Sequence, residues 1–173
     1  MLFGLMQSQP LMISSVLKHA ARHHGTAEIV SKNVEGDIHR TTWADAERRS
    51  RRLVRVLQGL GIQAGDRVAT LAMNGFRHLE IYYAAPGMGA ICHTVNPRLH
   101  ADDIAYIIDH AGDKVLFAET SFSAVLAAIA PAIAGSVRAV VMMTDRAHMP
   151  ELALPAGMRL LCYDELIASA DED

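Results

Sequence analysis

Ile104, Ile107, Ile108 and Ala111 fall at i, i+3, i+4 and i+7, the spacing that lines one face of an α-helix. The helix they predict runs from Ala101 to Ala111. Asp102 and Asp103 stand in its first turn, where the helix dipole favours carboxylates, and Gly112 closes it. The same period picks out Ile13, Val16, Leu17 and Ala20, with Gly25 as the stop, and Leu53, Leu57 and Leu60, with Gly61 as the stop. This second helix opens at Thr42-Trp43-Ala44-Asp45, a capping-box pattern in which Thr42 accepts from a free N–H and Asp45 reaches back. Phe76, Leu79 and Tyr83 begin a further helix, which Pro86 is expected to kink or end because it cannot donate to the Tyr82 carbonyl. Ser121 to Ala130 is another, interrupted at Pro131, and a last one starts near Tyr163 and runs into Asp171-Glu172-Asp173.

Between the helices lie short, nearly continuous apolar runs. Arg67–Met73, Ile91–Val95, Lys114–Ala118, Val137–Met143 and Arg159–Cys162 read as buried strands, with a loop around Met149–Gly157. Earlier, Ala27–Lys32 and Ile38–Thr41 flank the turn Glu35-Gly36-Asp37 and read as a hairpin. Strands that alternate with helices imply right-handed crossovers, so the fold class is α/β. The expected architecture is a mostly parallel, helix-covered, Rossmann-like sheet, with the early antiparallel hairpin at an edge.

Composition narrows the class further. The chain has 173 residues, 51% of them hydrophobic, enough to bury about 70% of the surface its unfolded form exposes and too apolar for disorder. A net charge of −3 gives no whole-molecule field for nucleic acid. Two cysteines, Cys92 and Cys162, form no metal-ligand spacing and suit reduced thiols in a cytoplasmic protein. Met1–Met12 has no basic residue ahead of its apolar stretch, so no signal peptide is expected. The longest apolar run, Ala124–Ala134, is too short for a membrane helix and holds Pro131.

Candidate chemistry is sparse. His19 and His23 are four apart, with His24 adjoining, a spacing that could offer two imidazoles to a metal. No carboxylate or cysteine completes the set locally, and a solvated helix face is the expected reading. Arg48, Arg49, Arg51, Arg52 and Arg55 interleave with an apolar face, near Asp45 and Glu47, and are also read as solvated. Gly87-x-Gly89 lacks the third glycine of a dinucleotide fingerprint and precedes a strand, so it is read as a tight helix-to-strand passage. No phosphate-loop motif and no nucleophile elbow occur, and Cys92 sits inside a strand expected to be buried. No catalytic residue and no metal ligand is assigned.

Four stretches in order carry a resemblance. Thr41-Thr42-Trp43-Ala44-Asp45-Ala46 resembles a "T-Y-x-E/D" helix start. Leu60 to Ala69 resembles an "L-G-x-x-x-G-D-R-V-A" passage into a strand. Gly87 to Leu99 resembles "G-x-G-A-V-x-x-x-x-N-P-R-L", and Ile104–Ile107 with Lys114–Phe117 resembles the helix and strand that follow. Together they are similar to the amino-terminal part of the adenylate-forming (AMP-binding) acyl-CoA synthetases. His39-Arg40-Thr41, Phe76 to Glu80 and His93 to Leu99 look most like the medium- and long-chain fatty-acid–CoA ligase branch.

The resemblance implies an amino-terminal fragment of the AMP-binding domain over residues 1–173, with 1–42 as helix and hairpin lead-in and 43–173 as α/β core. The phosphate loop, the later nucleotide and magnesium motifs and the carboxy-terminal lid lie outside it. It implies a parent acid–thiol ligase that uses ATP, Mg2+ and CoA on a fatty acid substrate, with the remainder of its own polypeptide as partner. The fragment alone is expected to be inactive and to bind none of these tightly. Exposed sheet surface favours a homodimer. The resemblance also implies one ligand contact: Arg98, in the Asn-Pro-Arg-Leu loop, toward a CoA phosphate, against the alternative of an arginine that merely pins the loop. A non-catalytic α/β binding or assembly module is the competing reading. A flavodoxin-like nucleotide binder would need a phosphate loop that the sequence lacks.

Overall fold

Residues on alternate faces of each strand build two separate cores around one parallel sheet. The computed structural model describes residues 4–5 and 8–171, so parts of the Met1–Met12 lead-in and of the acidic Asp171–Asp173 end lie outside the described residues. The sheet contains β3 (Arg67–Leu71), β4 (Ile91–Thr94), β5 (Val115–Ala118), β6 (Ala139–Met142) and β7 (Arg159–Cys162), following the hairpin strands β1 (Glu28–Lys32) and β2 (Ile38–Thr42). Its order is β4-β3-β5-β6-β7, all parallel, with Val68 opposite both Cys92 and Val115.

On one face Val68, Val115, Phe117, Ala139 and Val141 meet α2 (Trp43–Gly59), α3 (Phe76–Gly87) and α6 (Tyr163–Ser169) through Leu53, Leu57, Ile81, Tyr163 and Ile167. On the other, Ala69, Leu71, Leu116, Val140 and Met142 meet α4 (Ala101–Ala111) and α5 (Ser123–Ile133) through Ile104, Ile108, Leu126, Ile129 and Ile133. A strand with helices on both sides has no polar face, which is why these runs read as continuous rather than alternating. Between β6 and β7 no α-helix forms, only a 3₁₀ turn over Arg146–His148. Met149, Leu152 and Leu154 of that loop pack on the α4–α5 side instead. The first helix, α1 (Ile13–His24), packs on α2 and α3 and, of Ile13, Val16, Leu17 and Ala20, buries only Leu17. Among the described residues no helix is long and apolar enough to cross a membrane.

Four expectations are corrected. The hairpin joins no edge of the parallel sheet; it forms its own two-stranded sheet. α3 does end at Pro86-Gly87, as expected, but α5 runs through Pro131 to Ile133. Each proline sits in a last turn, where the N–H it lacks would have served one carbonyl near the helix end. β4 is an edge strand rather than a buried one: Ile91 is 49% exposed and Cys92 half-buried, because β3 alone pairs with it. The apolar face of α3 is also rotated from the predicted stripe. Arg77, His78, Glu80, Ile81, Ala84 and Ala85 are buried beside Phe76, while Leu79 and Tyr83 are only partly covered.

At α2 the predicted cap forms: the Asp45 N–H donates to Thr42 Oγ1 at 3.2 Å, and that hydroxyl donates to the Asp45 carboxylate at 2.7 Å. Gly112 ends α4 with φ +65°, and a Cβ there would lie 3.0 Å from Arg67 Nη2. Gly112→Ala is therefore expected to destabilise the chain by about 1–2 kcal/mol. A urea titration with an unshifted midpoint would contradict this.

His78 bridges β3 and α3, with Nδ1 3.0 Å from the Met73 carbonyl and Nε2 3.0 Å from Thr70 Oγ1. The carbonyl can only accept, so Nδ1 carries the proton and Nε2 accepts from the Thr70 hydroxyl. Burial lowers the pKa of His78 below 6.5. The unfolded chain then binds the extra proton first, so this contribution is complete above pH 6.5 and is lost as the pH falls through the folded value. Between pH 7.5 and 5.5 the urea midpoint is expected to fall less in His78→Gln than in the wild type. Parallel pH profiles would refute the assignment.

Candidate functional site

The order β4-β3-β5-β6-β7 means that the chain leaves β3 to one side and returns on the other. In such sheets the ligand crevice lies outside the carboxyl ends, where the order reverses, here between β3 and β5. In this chain the crevice is filled from within. Lys32, Asn33 and Val34 of the hairpin tip stand against Asn74, Gly75, His78, Glu119 and Met143, leaving about 20 Å³, room for roughly one water.

A buried ionic network holds the hairpin there. The Glu35 side chain is 6% exposed, and its Oε1 accepts from Arg77 Nη1 at 3.1 Å and from the Thr144 hydroxyl at 2.6 Å. Arg77 also donates to the Met143 carbonyl at 3.0 Å and to Asp164 Oδ2 at 2.7 Å. One turn further along α3, Glu80 is 1% exposed. It accepts from Arg49 Nε and from the Tyr163 hydroxyl, both at 2.6 Å. Phe76 lies between the two halves, with the His39 ring stacked on it at 3.7 Å and the Arg77 guanidinium 4.7 Å from its centroid.

Burial raises the Glu80 pKa, while Arg49 and the Tyr163 hydroxyl act against that rise. Burial and the neighbouring Glu80 charge push Tyr163 well above its usual range. His39 is lowered, first by burial and then by Arg49 and Arg77, so it stays neutral beside two guanidiniums. Alongside the network a cleft of about 510 Å³ opens between the hairpin tip, the start of α3 and the start of α6.

The residues singled out from sequence fall elsewhere. Arg98 is exposed, and its backbone N–H donates to Asn96 Oδ1 at 3.0 Å, a local turn that fixes the direction of the Asn96-Pro97 loop. Its guanidinium has no partner among the described residues, and the loop lies past the end of β4, apart from the network. His19, His23 and His24 are exposed with ring centroids 4.5 and 6.1 Å apart. Among the described residues no three His, Cys, Asp or Glu side chains gather as metal ligands.

The basic cluster does not behave as one solvated face. Arg48 pairs with Asp45 and Arg51 with Glu47, but Arg49 turns inward to Glu80. Gly87-x-Gly89 does make a tight passage: Gly89 has φ +86°, its carbonyl accepts from the Gly65 N–H at 2.8 Å, and a Cβ there would meet Ala64 at 3.2 Å. Burial raises the Cys92 thiol to about 11, so it is a poor nucleophile. His93 reaches from β4 to the fully buried Asp113, Nδ1 to Oδ2 at 2.7 Å.

Sequence reasoning missed Glu35, Arg77, Glu80, Thr144, Tyr163 and Asp164. The available signal was the placement of Arg77 and Glu80 at i and i+3, in step with Ile81 and Ala84 rather than on the opposite face.

The sequence matches the AMP-binding enzyme family over residues 17–159. It is 46% identical over 172 residues to a 3-methylmercaptopropionyl-CoA ligase of Ruegeria lacuscaerulensis, covering 99% of this chain and 31% of that protein. A medium-chain-fatty-acid–CoA ligase of Ectopseudomonas oleovorans is 38% identical over 172 residues, with the same coverage of 99% and 31%. Among solved structures, an anthranilate CoA ligase in complex with anthranoyl-AMP superposes with a TM-score of 0.77 at 16% identity. That superposition covers 97% of this chain and 30% of the other, and at such identity it speaks for the fold alone. The chain thus spans about three tenths of the length of the curated relatives it matches. A family match across most of its residues, and relatives that align over nearly all of it, make this chain a member of the AMP-binding enzyme family.

Proposed function

We propose that this chain is the amino-terminal region of an AMP-forming fatty-acid–CoA ligase. The observation that carries this reading is similarity, over 99% of the chain, to proteins named as CoA ligases, one of them for medium-chain fatty acids. In the proposed reaction a fatty-acid carboxylate attacks the α-phosphorus of ATP and pyrophosphate leaves with the electrons of the broken P–O bond. The CoA thiolate then attacks the acyl carbon of the adenylate, a C–S bond forms, and AMP leaves. Both steps depend on positioning and on neutralising charge at phosphate.

Among the described residues no three carboxylate, imidazole or thiol side chains gather as metal ligands. The sequence also carries no phosphate-loop motif. We therefore assign this region the role of scaffold, with residues 1–42 as lead-in and 43–173 as core, and place the chemistry in other parts of the parent ligase. Arg98 is the one residue we assign to a ligand. Its loop is set by the Asn96 turn and Pro97, and its guanidinium engages none of the described residues, so it can offer paired N–H donors to a CoA phosphate.

An ATP–pyrophosphate exchange assay with a medium-chain fatty acid is expected to show no turnover by the 173-residue chain. Exchange catalysed by that chain alone would overturn the scaffold reading. In the parent ligase, Arg98→Ala is expected to raise the KM for CoA by about tenfold while leaving that for ATP unchanged, the loss of one charge-assisted contact. An unaltered KM for CoA would return Arg98 to the role of a loop residue.

A further inference from the structure

The amino-terminal helix α1 lies outside both cores. Leu17 is its one buried side chain and belongs to neither hydrophobic cluster around the sheet. At its start Leu11, Met12, Ile13 and Val16 stand 51% to 102% exposed. Met12, Val16, His19 and His23 follow one another at i, i+4, i+7 and i+11, a single side of the helix. Apolar groups occupy the beginning of that side, and two imidazoles with ring centroids 4.5 Å apart occupy its end.

Charge on this element has one sign. The first acidic residue of the chain is Glu28, whereas Lys18 and Arg22 lie within α1. Among the described residues neither has a partner for its charge. The groove that α1 forms with α2 and α3, about 410 Å³, continues the pattern. Met12, Leu17 and Val54 give it an apolar lining, and Lys18, Arg51 and Arg55 give it cations. Glu47 is the one carboxylate among its lining residues and is matched by Arg51 at 3.1 Å. Arg55 reaches the neutral Gln58 amide oxygen at 3.3 Å. Uncompensated cations thus stand beside exposed apolar side chains, on a chain whose net charge is −3.

The complement of that pairing is an amphiphile with a negative headgroup. An anionic lipid surface offers phosphates to lysine and arginine, with acyl chains just below for the apolar groups. The aliphatic stems of Lys18 and Arg22 can span that boundary. A second copy of the helix would set these cations against their own like charges. We propose that α1 and the groove beside it form a docking face for an anionic membrane surface, on which the helix lies flat without crossing it. The proposal goes beyond the ligase reading and does not rest on it, because vesicle binding is read without turnover.

Co-sedimentation tests it, with vesicles of phosphatidylcholine alone and of phosphatidylcholine mixed with phosphatidylglycerol, for the 173-residue chain and for the parent ligase. Both proteins are expected to sediment with the mixed vesicles and not with phosphatidylcholine alone. Binding is expected to fall severalfold as salt rises from about 0.1 M to about 1 M and screening shortens. Lys18→Gln combined with Arg22→Gln is expected to weaken it about twentyfold, from about fivefold per cation. Ile13→Ser combined with Val16→Ser is expected to weaken it about tenfold. Arg146→Gln removes a 75% exposed cation in the loop after β6 and is expected to leave binding unchanged.

The four substituted positions of α1 are exposed, so circular dichroism is expected to show intact folding. The glutamine variant decides the matter should the serine variant unfold. No sedimentation with the mixed vesicles, equal sedimentation with both kinds, undiminished binding by the folded glutamine variant, or an equal loss in Arg146→Gln would each overturn the proposal. So would binding by the 173-residue chain that the parent ligase lacks, since α1 would then be covered by the rest of the polypeptide.

Discussion

Glu80 cannot be left alone. It sits 1% exposed on the inner face of α3, where an unpaired carboxylate would cost several kcal/mol. Its two oxygens therefore dictate the positions of Arg49 on α2 and Tyr163 at the start of α6. Arg77, three residues earlier, makes the same demand and is met by Asp164, the Met143 carbonyl and Glu35. One helix thus carries two buried charges, and satisfying them ties together α2, α6, the end of β6 and the tip of the hairpin. Hydrophobic burial stacks the layers of this molecule, but it is non-directional. The ion pairs and hydrogen bonds select one docking of the hairpin on the sheet.

That docking changes what the sheet can do. The order β4-β3-β5-β6-β7 is the one in which a ligand crevice is expected between β3 and β5, and in this chain the hairpin tip occupies it. Open space is displaced to the side, into the acidic cleft. The exposed Asn96–Leu99 loop stands apart from both. A chain whose topological crevice is closed by its own residues is consistent with a supporting region whose relatives are more than three times its length.

Much of the fold was legible in the sequence. The Ile104–Ala111 period, the Thr42 cap, the glycines at 61 and 112 and the apolar runs of β3, β5 and β6 each depend on a few neighbouring residues, so local physics suffices to find them. Pro86 marked the end of its helix, whereas Pro131 was misjudged because a proline's effect depends on where in a helix it falls, and Pro131 falls in a last turn. The Arg98 loop was legible as part of a family motif, which the family match supports as to kinship and not as to role.

The sequence alone determined the order and type of the elements, the parallel sense of the sheet and the family. Those follow from periodicity, capping and motif spacing, which are written in consecutive residues. Only the tertiary structure decided that β4 is an edge, that α3 turns Arg77 and Glu80 inward, and that the hairpin plugs the crevice. Contacts between Glu35 and Thr144, or Glu80 and Tyr163, join residues 109 and 83 positions apart. A charged residue reads as surface until the partner that permits its burial is brought beside it, and only the folded chain does that.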